Sequence, residues 1–584
     1  MNNPVLEPPA YVPHFSDERD VDAFVVMLDR FERGEIAEPE WRAFRLVNGT
    51  YGQRQGGTFS MLRAKLPQGV VSAQQLEAIA DVADRFSRGF CHITTRQNVQ
   101  LHFIELHQME SAMRALAKAG ITTKEACGNS VRNVTAPSTS GVAADEAFDT
   151  EPYAEALTRF FLRHPLSATL PRKFKIAFAG GGADHSFAHV NDLGWHARID
   201  GAGQRGFRVT VAGGTATLCA TGNALFEFLP AGDVFAVALA VLRVFDRLGD
   251  RVHRHKNRMK FLVKALGWDA FRAAVLEELG RVQAEGAPKL PFDPEAPPAP
   301  RETPPPTTLP RALPLADGEA RWRATNTRVQ KQPGYVAVTI TVPIGDITSD
   351  QLRAVARLSR EDASGGVRLT ASQNLILRFV PESRVSRVYA ALSVMGLARP
   401  DADTIADVAS CPGADSCKLA VTQSRGLGNL LGEHFSARPA WVDRAPGLSI
   451  RISGCPNGCS LHHVAGIGFQ GGMRKVGGRP VPQYFVYAGG DVAGDRAHFG
   501  RVVAKVPARR GPAVVERLIE TYERQRIEGE TITAFLRRAT VPELKAALAD
   551  LEPLSLADAT AEDFVDLGEV TAFAPETTEG ECAV

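Results

Sequence analysis

Apolar residues recur at helical spacing near the start of the chain. Val21, Phe24 and Leu28 fall on one face of such a helix, and Asp17 stands at its beginning. The pattern predicts one or two helices over residues 16–47. We interpret this segment as an extension that packs against the rest of the protein.

Further along, one pattern of apolar and polar residues occurs twice, at a constant separation of 276 positions. The matched pairs are Pro67 and Pro343, Gly69 and Gly345, Leu76 and Leu352, Gly89 and Gly365, Thr94 and Thr370, Gln97 and Gln373, Asn98 and Asn374, and Gly120 and Gly396. Each copy predicts a strand, a helix capped by Ser72 or Thr348, a second strand and a second helix. The predicted strands are residues 59–66 and 99–104 in the first copy, and 335–342 and 375–380 in the second. This is an α+β pattern in duplicate.

The duplication extends beyond these units, since residues 173–176 match residues 449–452 at the same separation. Residues 287–314 are rich in proline, a composition typical of an extended linker. We therefore predict an N-terminal helical extension at 1–50, half-domains at 51–125 and 321–400, larger domains at 126–286 and 401–545, a linker at 287–320 and a tail at 546–584.

The composition is that of a globular protein. Of 584 residues, 44% are hydrophobic and 23% are charged, and the formal net charge is +1. This balance gives no general affinity for nucleic acid or a membrane surface. The first residues lack the apolar stretch of a secretory signal, and no apolar run approaches the length of about eighteen residues that suggests a membrane helix. We expect a cytoplasmic protein with reduced thiols that binds neither nucleic acid nor membrane.

Four of the eight cysteines form two close pairs. Five residues separate Cys411 from Cys417, and three separate Cys455 from Cys459, with proline and glycine in both loops. Four thiolates are the usual ligands of a [4Fe–4S] cluster. Zinc is an alternative, although the wider pair is unfavourable for it. A second alternative is that the four cysteines are unrelated residues of the apolar core. The pattern favours the iron–sulfur cluster.

Basic residues are placed at regular structural positions in the first copy. Arg96 precedes a predicted strand, Arg132 lies in a polar loop, and Lys173 and Lys175 enter an apolar strand. Because side chains alternate along a strand, the two lysines share one face, where an anion would balance their charge. A guanidinium can hold an oxyanion through two hydrogen bonds, and lysine supplies a charge and a proton. A solvated basic patch is the plainer alternative. The second copy has Ser372 in place of Arg96 and carries the cysteines, so we interpret one copy as the anion site and the other as the electron carrier.

These motifs resemble one family. The two cysteine loops, with the run Gly454-Cys455-Pro456-Asn457-Gly458-Cys459, are similar to the signature of the sulfite and nitrite reductases that contain sirohaem and a [4Fe–4S] cluster. The resemblance implies both cofactors, with Cys411, Cys417, Cys455 and Cys459 as cluster ligands and Cys459 also bridging to the sirohaem iron. It implies an internally duplicated α+β fold with pseudo-two-fold symmetry, two ferredoxin-like half-domains, and two α/β domains that bind sirohaem and cluster.

The resemblance also implies roles for the basic residues. Arg96, Arg132, Lys173 and Lys175 match the family's anion-binding and proton-donating set. Other stretches resemble those that surround the sirohaem carboxylates. The residues expected to contact sirohaem are Arg63, Lys65, Arg96, Gln97, Asn98, Arg132, Asn133, Arg254, Arg258, Lys260 and Cys459.

The resemblance implies the six-electron reduction of sulfite to sulfide, in sulfur assimilation. Nitrite reduction to ammonia on the same scaffold is the alternative. Lys175 favours sulfite, because the family's nitrite enzymes usually have asparagine there. No flavin or nicotinamide fingerprint is apparent. An electron-donor protein is therefore implied, either a ferredoxin or, as second choice, a flavoprotein reductase.

Two other classes of protein fit less well. A cluster carrier or haem assembly factor would need the cysteine loops but not four convergent cations. A zinc-dependent nucleic-acid-binding protein would need a basic surface and aromatic stacking positions, which the sequence lacks. Both classes are therefore disfavoured.

Overall fold

A computed structural model describes residues 12–253, 255–299, 302–307 and 315–575. Arg254, predicted to contact sirohaem, lies outside the described residues, as does Cys582. The predicted helical segment at 16–47 is confirmed as two helices, α1 (Glu18–Glu32) and α2 (Glu38–Val47). They pack through Phe24 and Trp41, whose ring centroids are 5.4 Å apart.

The first half-domain follows the predicted α+β order. Its elements are β1 (Thr50–Gly52), β2 (Phe59–Ala64), β3 (Val70–Ser72), α3 (Ala73–Phe86), β4 (Phe90–Ile93), β5 (Val99–Glu105) and α4 (Met109–Lys118). Helix α3 begins as predicted, because the Ser72 hydroxyl accepts a hydrogen bond from the backbone of Gln75, whose side chain in turn accepts one from the backbone of Ser72.

The first larger domain is a mixed four-stranded sheet covered by helices. Its elements are α5 (Glu151–Phe161), β6 (Ile176–Ala179), β7 (Leu193–Ile199), β8 (Arg205–Val211), β9 (Asn223–Pro230), α6 (Val234–Leu248), α7 (Met259–Leu266) and α8 (Trp268–Ala284). Strands β6 and β7 are parallel and the other neighbours are antiparallel. The predicted strand after Lys175 is confirmed as β6.

The second copy repeats both units. Its half-domain contains α9 (Glu319–Asn326), β10 (Thr327–Val329), β11 (Tyr335–Ile340), β12 (Asp346–Thr348), α10 (Ser349–Asp362), β13 (Gly366–Leu369), β14 (Leu375–Pro381) and α11 (Val385–Val394). Its larger domain contains β15 (Ala409–Ser410), α12 (Ser424–Ser436), α13 (Pro439–Arg444), β16 (Ile450–Ser453), β17 (Ile467–Val476), β18 (Arg479–Ala488), β19 (Arg501–Pro507), α14 (Gly511–Gln525), α15 (Ile532–Arg538) and α16 (Val541–Leu548). Thr348 and Gln351 cap α10 as Ser72 and Gln75 cap α3.

The two half-domains exchange strands. The first sheet has the order β1-β2-β5-β4-β12, and the second has the order β10-β11-β14-β13-β3. Each sheet is thus completed by a short strand from the other copy, β12 beside β4 and β3 beside β13. The apolar side chains of both half-domains, including the equivalent residues Leu76 and Leu352, form one continuous core.

The predicted first strand of each copy is two residues too long. Strands β2 and β11 end before Pro67 and Pro343, which begin short 3-10 turns. The central residues of these turns, Gln68 and Ile344, have φ angles of 54° and 50°. In the half-domains the sequence analysis also missed β1, β3, β4, β10, β12 and β13, because strands of three or four residues are too short for alternation to be visible.

Within the described ranges, no helix has both the length and the apolar character needed to cross a membrane.

Candidate active site

The two cysteine loops, residues 411–417 and 455–459, leave neighbouring strands at one edge of a sheet. Strands β15 and β16 are parallel, with Ser410 opposite Ile452. Their carboxyl ends therefore meet, and the loops that follow them lie side by side. The backbone N–H of Gly454 donates to Sγ of Cys411 at 3.4 Å.

Three of the four cysteines lie within electrostatic reach of the fourth, Cys455. Burial raises the pKa of the Cys455 thiol, and Cys459, Cys411 and Cys417 act in the same direction. Burial also raises the pKa of Cys411, while the Ser424 hydroxyl and the Gly454 N–H oppose this effect. Among the described residues, no group of three His, Cys, Asp or Glu side chains is arranged to hold a single metal ion. Four neighbouring thiols in glycine-containing loops fit a cluster with four thiolate ligands.

The first half-domain contacts both cysteine loops. The Thr95 hydroxyl donates to the carbonyl of Cys459 at 2.8 Å. The guanidinium of Arg54 donates to the carbonyls of Ala414 and Ala420, at 3.4 and 3.0 Å. The segment that carries Arg96 therefore borders the segment that carries Cys459.

Arg96 is held rigidly beside this border. Its guanidinium donates to Oδ1 of Asn191 at 2.8 Å and to the carbonyl of Ile176 at 3.1 Å, and it also bonds the carbonyl of Asn133. Burial lowers its pKa to about 9, and the nearby charge of Arg132 acts in the same direction. Its buried Nε has no hydrogen-bond partner among the described residues. A buried N–H group of this kind can donate a hydrogen bond to a bound anion.

Lys175 lies in the same group of cations. Burial lowers its pKa well below the usual range, and the charges of Arg258, Lys173 and Arg96 add to this effect. Residues 96, 132, 173 and 175, which are distant in sequence, are thus brought into one electrostatic cluster. Arg132 donates to the carbonyl of Gly128 at 3.0 and 2.8 Å. Lys173 lines, with Arg132, a cavity of about 210 Å³.

One buried carboxylate balances this cluster and was missed by the sequence analysis. Asp192 precedes β7 and forms a bidentate ion pair with Arg258, with two N–O distances of 2.9 Å. Its other contact is the backbone N–H of Lys175, at 2.9 Å. No motif marks a single aspartate before a strand, so only the alignment of β6 with β7 reveals its position.

Lys260 connects the cations with the loop that carries Cys459. Burial lowers its pKa to about 8, and its ammonium donates to the carbonyls of Thr215 and Leu218. A Cβ atom at Gly458 would lie 2.8 Å from Nδ1 of His463 and 3.4 Å from Oγ1 of Thr215. The turn before Cys459 is therefore closely enclosed by residues of both larger domains.

Other predicted sirohaem contacts are already engaged within the protein. Lys65 is buried and pairs with Glu125 at 3.7 Å. Arg63 donates to Sγ of Cys127 at 3.2 Å. The amide of Gln97 donates to the carbonyls of Ala136 and Leu369, at 2.8 and 3.0 Å.

The same holds for the two predicted asparagines. Asn98 accepts from the backbone N–H of Leu66 at 3.1 Å. Asn133 donates to the carbonyls of Leu66 and Arg96 at 2.8 and 2.9 Å. Asn133 thus ties the backbone of Arg96 to that of Leu66, and Asn98 holds the same Leu66 backbone.

Two family models match this chain. The nitrite and sulphite reductase 4Fe-4S domain matches residues 127–282 and 401–554, and the nitrite/sulfite reductase ferredoxin-like half domain matches residues 51–119 and 328–394. The chain belongs to the nitrite and sulphite reductase family. Each domain model matches this reductase twice, as the internal repeat predicted.

Relatives of this reductase carry both substrate names. It is 30% identical to a ferredoxin–nitrite reductase of Synechococcus elongatus, over 79% of this chain and 85% of the relative. It is also 30% identical to sulfite reductase (ferredoxin) 1 of Mycolicibacterium paratuberculosis, over 83% of each protein. The solved structure of the Mycobacterium tuberculosis NirA protein is similar, with a TM-score of 0.74, 27% identity, and coverage of 91% of this chain and 98% of that one.

Membership of this family confirms three predictions: the resemblance, the duplicated α+β fold and the two cofactors. The reductase uses a sirohaem and a [4Fe–4S] cluster, which sets aside the zinc and carrier alternatives. The cysteine loops fit the cluster, and the buried and half-buried cations fit a ligand that carries carboxylates. The domain limits and the roles of individual site residues remain predictions.

Proposed function

We propose that this reductase converts sulfite to sulfide with six electrons supplied by a ferredoxin, as part of cytoplasmic sulfur assimilation. The observation that carries the proposal is Lys175, a half-buried lysine within electrostatic reach of Lys173, Arg96 and Arg258. Sulfite carries more negative charge than nitrite near neutral pH, so it gains more from concentrated positive charge. Both curated relatives described above are named as ferredoxin enzymes, which favours that donor over a flavoprotein.

The proposed cluster ligands are Cys411, Cys417, Cys455 and Cys459, with Cys459 also reaching the sirohaem iron. When bound, the coupled cofactors supply single electrons at an open iron site. Arg258 and Lys260 would face the sirohaem carboxylates, with Asp192 holding Arg258 in position. Predicted contacts from Arg63, Lys65, Gln97, Asn98 and Asn133 are retained as second-rank candidates, because each side chain already makes at least one polar contact within the protein.

The chain's own cations perform the remaining tasks. Arg96 and Arg132 hold the oxyanion through charge-assisted hydrogen bonds. Lys173 and Lys175 donate protons as each oxygen leaves as water. Burial lowers the pKa of Lys175, which makes its ammonium group a stronger acid than that of an exposed lysine. These cations also stabilise the charge that develops as each S–O bond breaks.

Nitrite reduction is the second candidate, because a relative of equal identity carries that name. The two substrates can be separated at Lys175. Lys175→Asn deletes the charge but keeps a shorter hydrogen-bond donor. We expect the ratio of sulfite to nitrite kcat/KM to fall at least tenfold, which corresponds to about 1.4 kcal/mol of differential stabilisation.

The measurement compares both substrates with one reduced donor, using protein with full cluster and sirohaem content. Lys331→Asn is the matched control, since Lys331 is an exposed lysine paired with Glu146 on another surface. An unchanged ratio in Lys175→Asn would remove the main support for sulfite as the substrate.

A further inference from the structure

The first turn of α12 contacts a cysteine of the cluster-binding loops. The hydroxyl of Ser424, at the start of this helix, lies 3.2 Å from Sγ of Cys411 and 2.8 Å from the carbonyl oxygen of the same residue. Ser424 is fully buried. The contact is therefore partly shielded from water, which strengthens a hydrogen bond to a charged group.

The neighbouring loop is shaped to allow this approach. Gly413 has a φ angle of +63°, and a Cβ atom there would lie 2.4 Å from Oγ of Ser424 and 2.5 Å from its backbone nitrogen. Any larger residue at 413 would push the serine away from the sulfur. The glycine between the two cysteines thus makes room for the Ser424 hydroxyl.

Ligation fixes the direction of this hydrogen bond. A cysteine bound to iron is a thiolate and carries no proton. The serine hydroxyl is then the donor in its contact with the sulfur, shared with the carbonyl of Cys411. The backbone N–H of Gly454 approaches the same sulfur at 3.4 Å. Cys411 therefore has two candidate donors, one of which can be removed by substitution.

We propose that Ser424 is a positioning residue that raises the reduction potential of the [4Fe–4S] cluster by donating a hydrogen bond to Sγ of Cys411. The inference rests on the proposed ligation by Cys411, and it holds for either anion as substrate. When one electron passes from the donor to the cluster, the added negative charge is spread partly onto the sulfur atoms. A donor at a cysteine sulfur stabilises the reduced cluster more than the oxidised one, which raises the potential.

The test uses the full-length holoenzyme and an EPR-monitored redox titration of the cluster. Ser424→Ala should shift its midpoint potential to a more negative value, with iron and sulfide contents unchanged. Ser410→Ala is the matched control. The Ser410 hydroxyl is equally buried and donates to the same Cys411 carbonyl at 3.0 Å, so its removal perturbs that carbonyl while the contact between Ser424 and the sulfur stays in place. We expect the potential of the control to equal that of the wild type.

Two results would overturn the proposal: an unchanged potential in Ser424→Ala, or equal shifts in both alanine variants. If Ser424→Ala does not keep its cluster, the midpoint potential is measured in Ser424→Thr instead, because threonine restores the hydroxyl. A wild-type potential in that variant supports the proposal, and loss of the cluster from both variants refutes it. The iron content of Cys411→Ser tests the ligation separately and leaves the substrate question untouched.

Discussion

At the scale of single residues, Asp407 is a buried carboxyl group whose ionisation opposes folding. Its Oδ2 accepts hydrogen bonds from Nδ2 of Asn374 at 2.6 Å and from the backbone of Asp403 at 2.8 Å. Burial, assisted by the charge of Asp403, raises its pKa from 3.8 to about 7. Between these two values the folded protein binds a proton that the unfolded chain has released. Stability contributed by this group therefore falls as the pH rises through that window.

Asp407→Asn should remove this pH dependence, because an amide oxygen can accept the same two hydrogen bonds without carrying a charge. We expect the gain in unfolding free energy over the wild type to be ~2–3 kcal/mol larger at pH 8 than at pH 5, since one unit of pKa shift corresponds to about 1.4 kcal/mol. Thermal unfolding of both proteins at the two pH values provides the measurement. A variant whose stability differs from wild type equally at both pH values would contradict the assignment.

The cations of the site could be found from the sequence, whereas their counter-charge could not. Lys173 and Lys175 stand at alternate positions before an apolar run, and this spacing placed them together. Asp192 carries no such signal, because its role depends on β7 lying parallel to β6. The pairing of strands determines which acidic side chain lies beside which basic one, and the pattern of a single sequence does not show that pairing.

At the scale of elements, two equivalent glutamines join the half-domains. The amide of Gln97 donates to the carbonyl of Leu369 at 3.0 Å, and the amide of Gln373 donates to the carbonyl of Ile93 at 2.8 Å. Both glutamines have left-handed backbones, with φ angles of 55° and 69°. The repeat makes the four residues equivalent in pairs, so each half-domain makes the same bond to the other.

These reciprocal bonds predict that Gln97 contributes to stability independently of cofactor. Gln97→Ala and Gln373→Ala should each destabilise the apoprotein by about 1–3 kcal/mol, because buried carbonyls lose their donors. Gln283→Ala, at an exposed position on α8, is the control. Differential scanning calorimetry of the apoproteins gives the answer. If Gln97→Ala lost sirohaem but left apoprotein stability unchanged, its role would instead be the cofactor contact predicted from the family resemblance.

The helices and longer strands of the two half-domains were predictable because their apolar spacing persists over many residues. The caps at Ser72 and Thr348 are local signals and were also found. The short strands β3 and β12 were not, since a three-residue strand is defined by its partner. Their partners lie in the other copy, far along the chain.

At the scale of the whole molecule, the exchange of β3 and β12 makes the two copies interdependent. Without β12, strand β4 would be an exposed edge, and the same holds for β13 without β3. The shared core would be divided as well. Ion pairs reinforce this union: Arg360 of α10 bonds Glu77 of α3 at 2.5 Å.

A split chain tests this interdependence. Two fragments, divided between Pro306 and Leu315, should each aggregate when expressed alone, because each exposes an unpaired edge and an open core. Coexpressed, they should purify as a one-to-one complex that retains cluster and sirohaem. Size-exclusion chromatography and a visible spectrum report the outcome. A single fragment that is monomeric and unfolds cooperatively would show that the copies fold independently.

The exchanged strand β12 also has a consequence during synthesis of the protein. The chain emerges from the ribosome in order, and β4 must wait for Asp346, Ile347 and Thr348 before its outer edge can be paired. At ordinary rates of translation this delay lasts on the order of 10–50 s. Throughout that interval the nascent first half-domain presents an open edge to other polypeptides on the same messenger. Until the second half arrives, that edge is therefore available for intermolecular strand pairing.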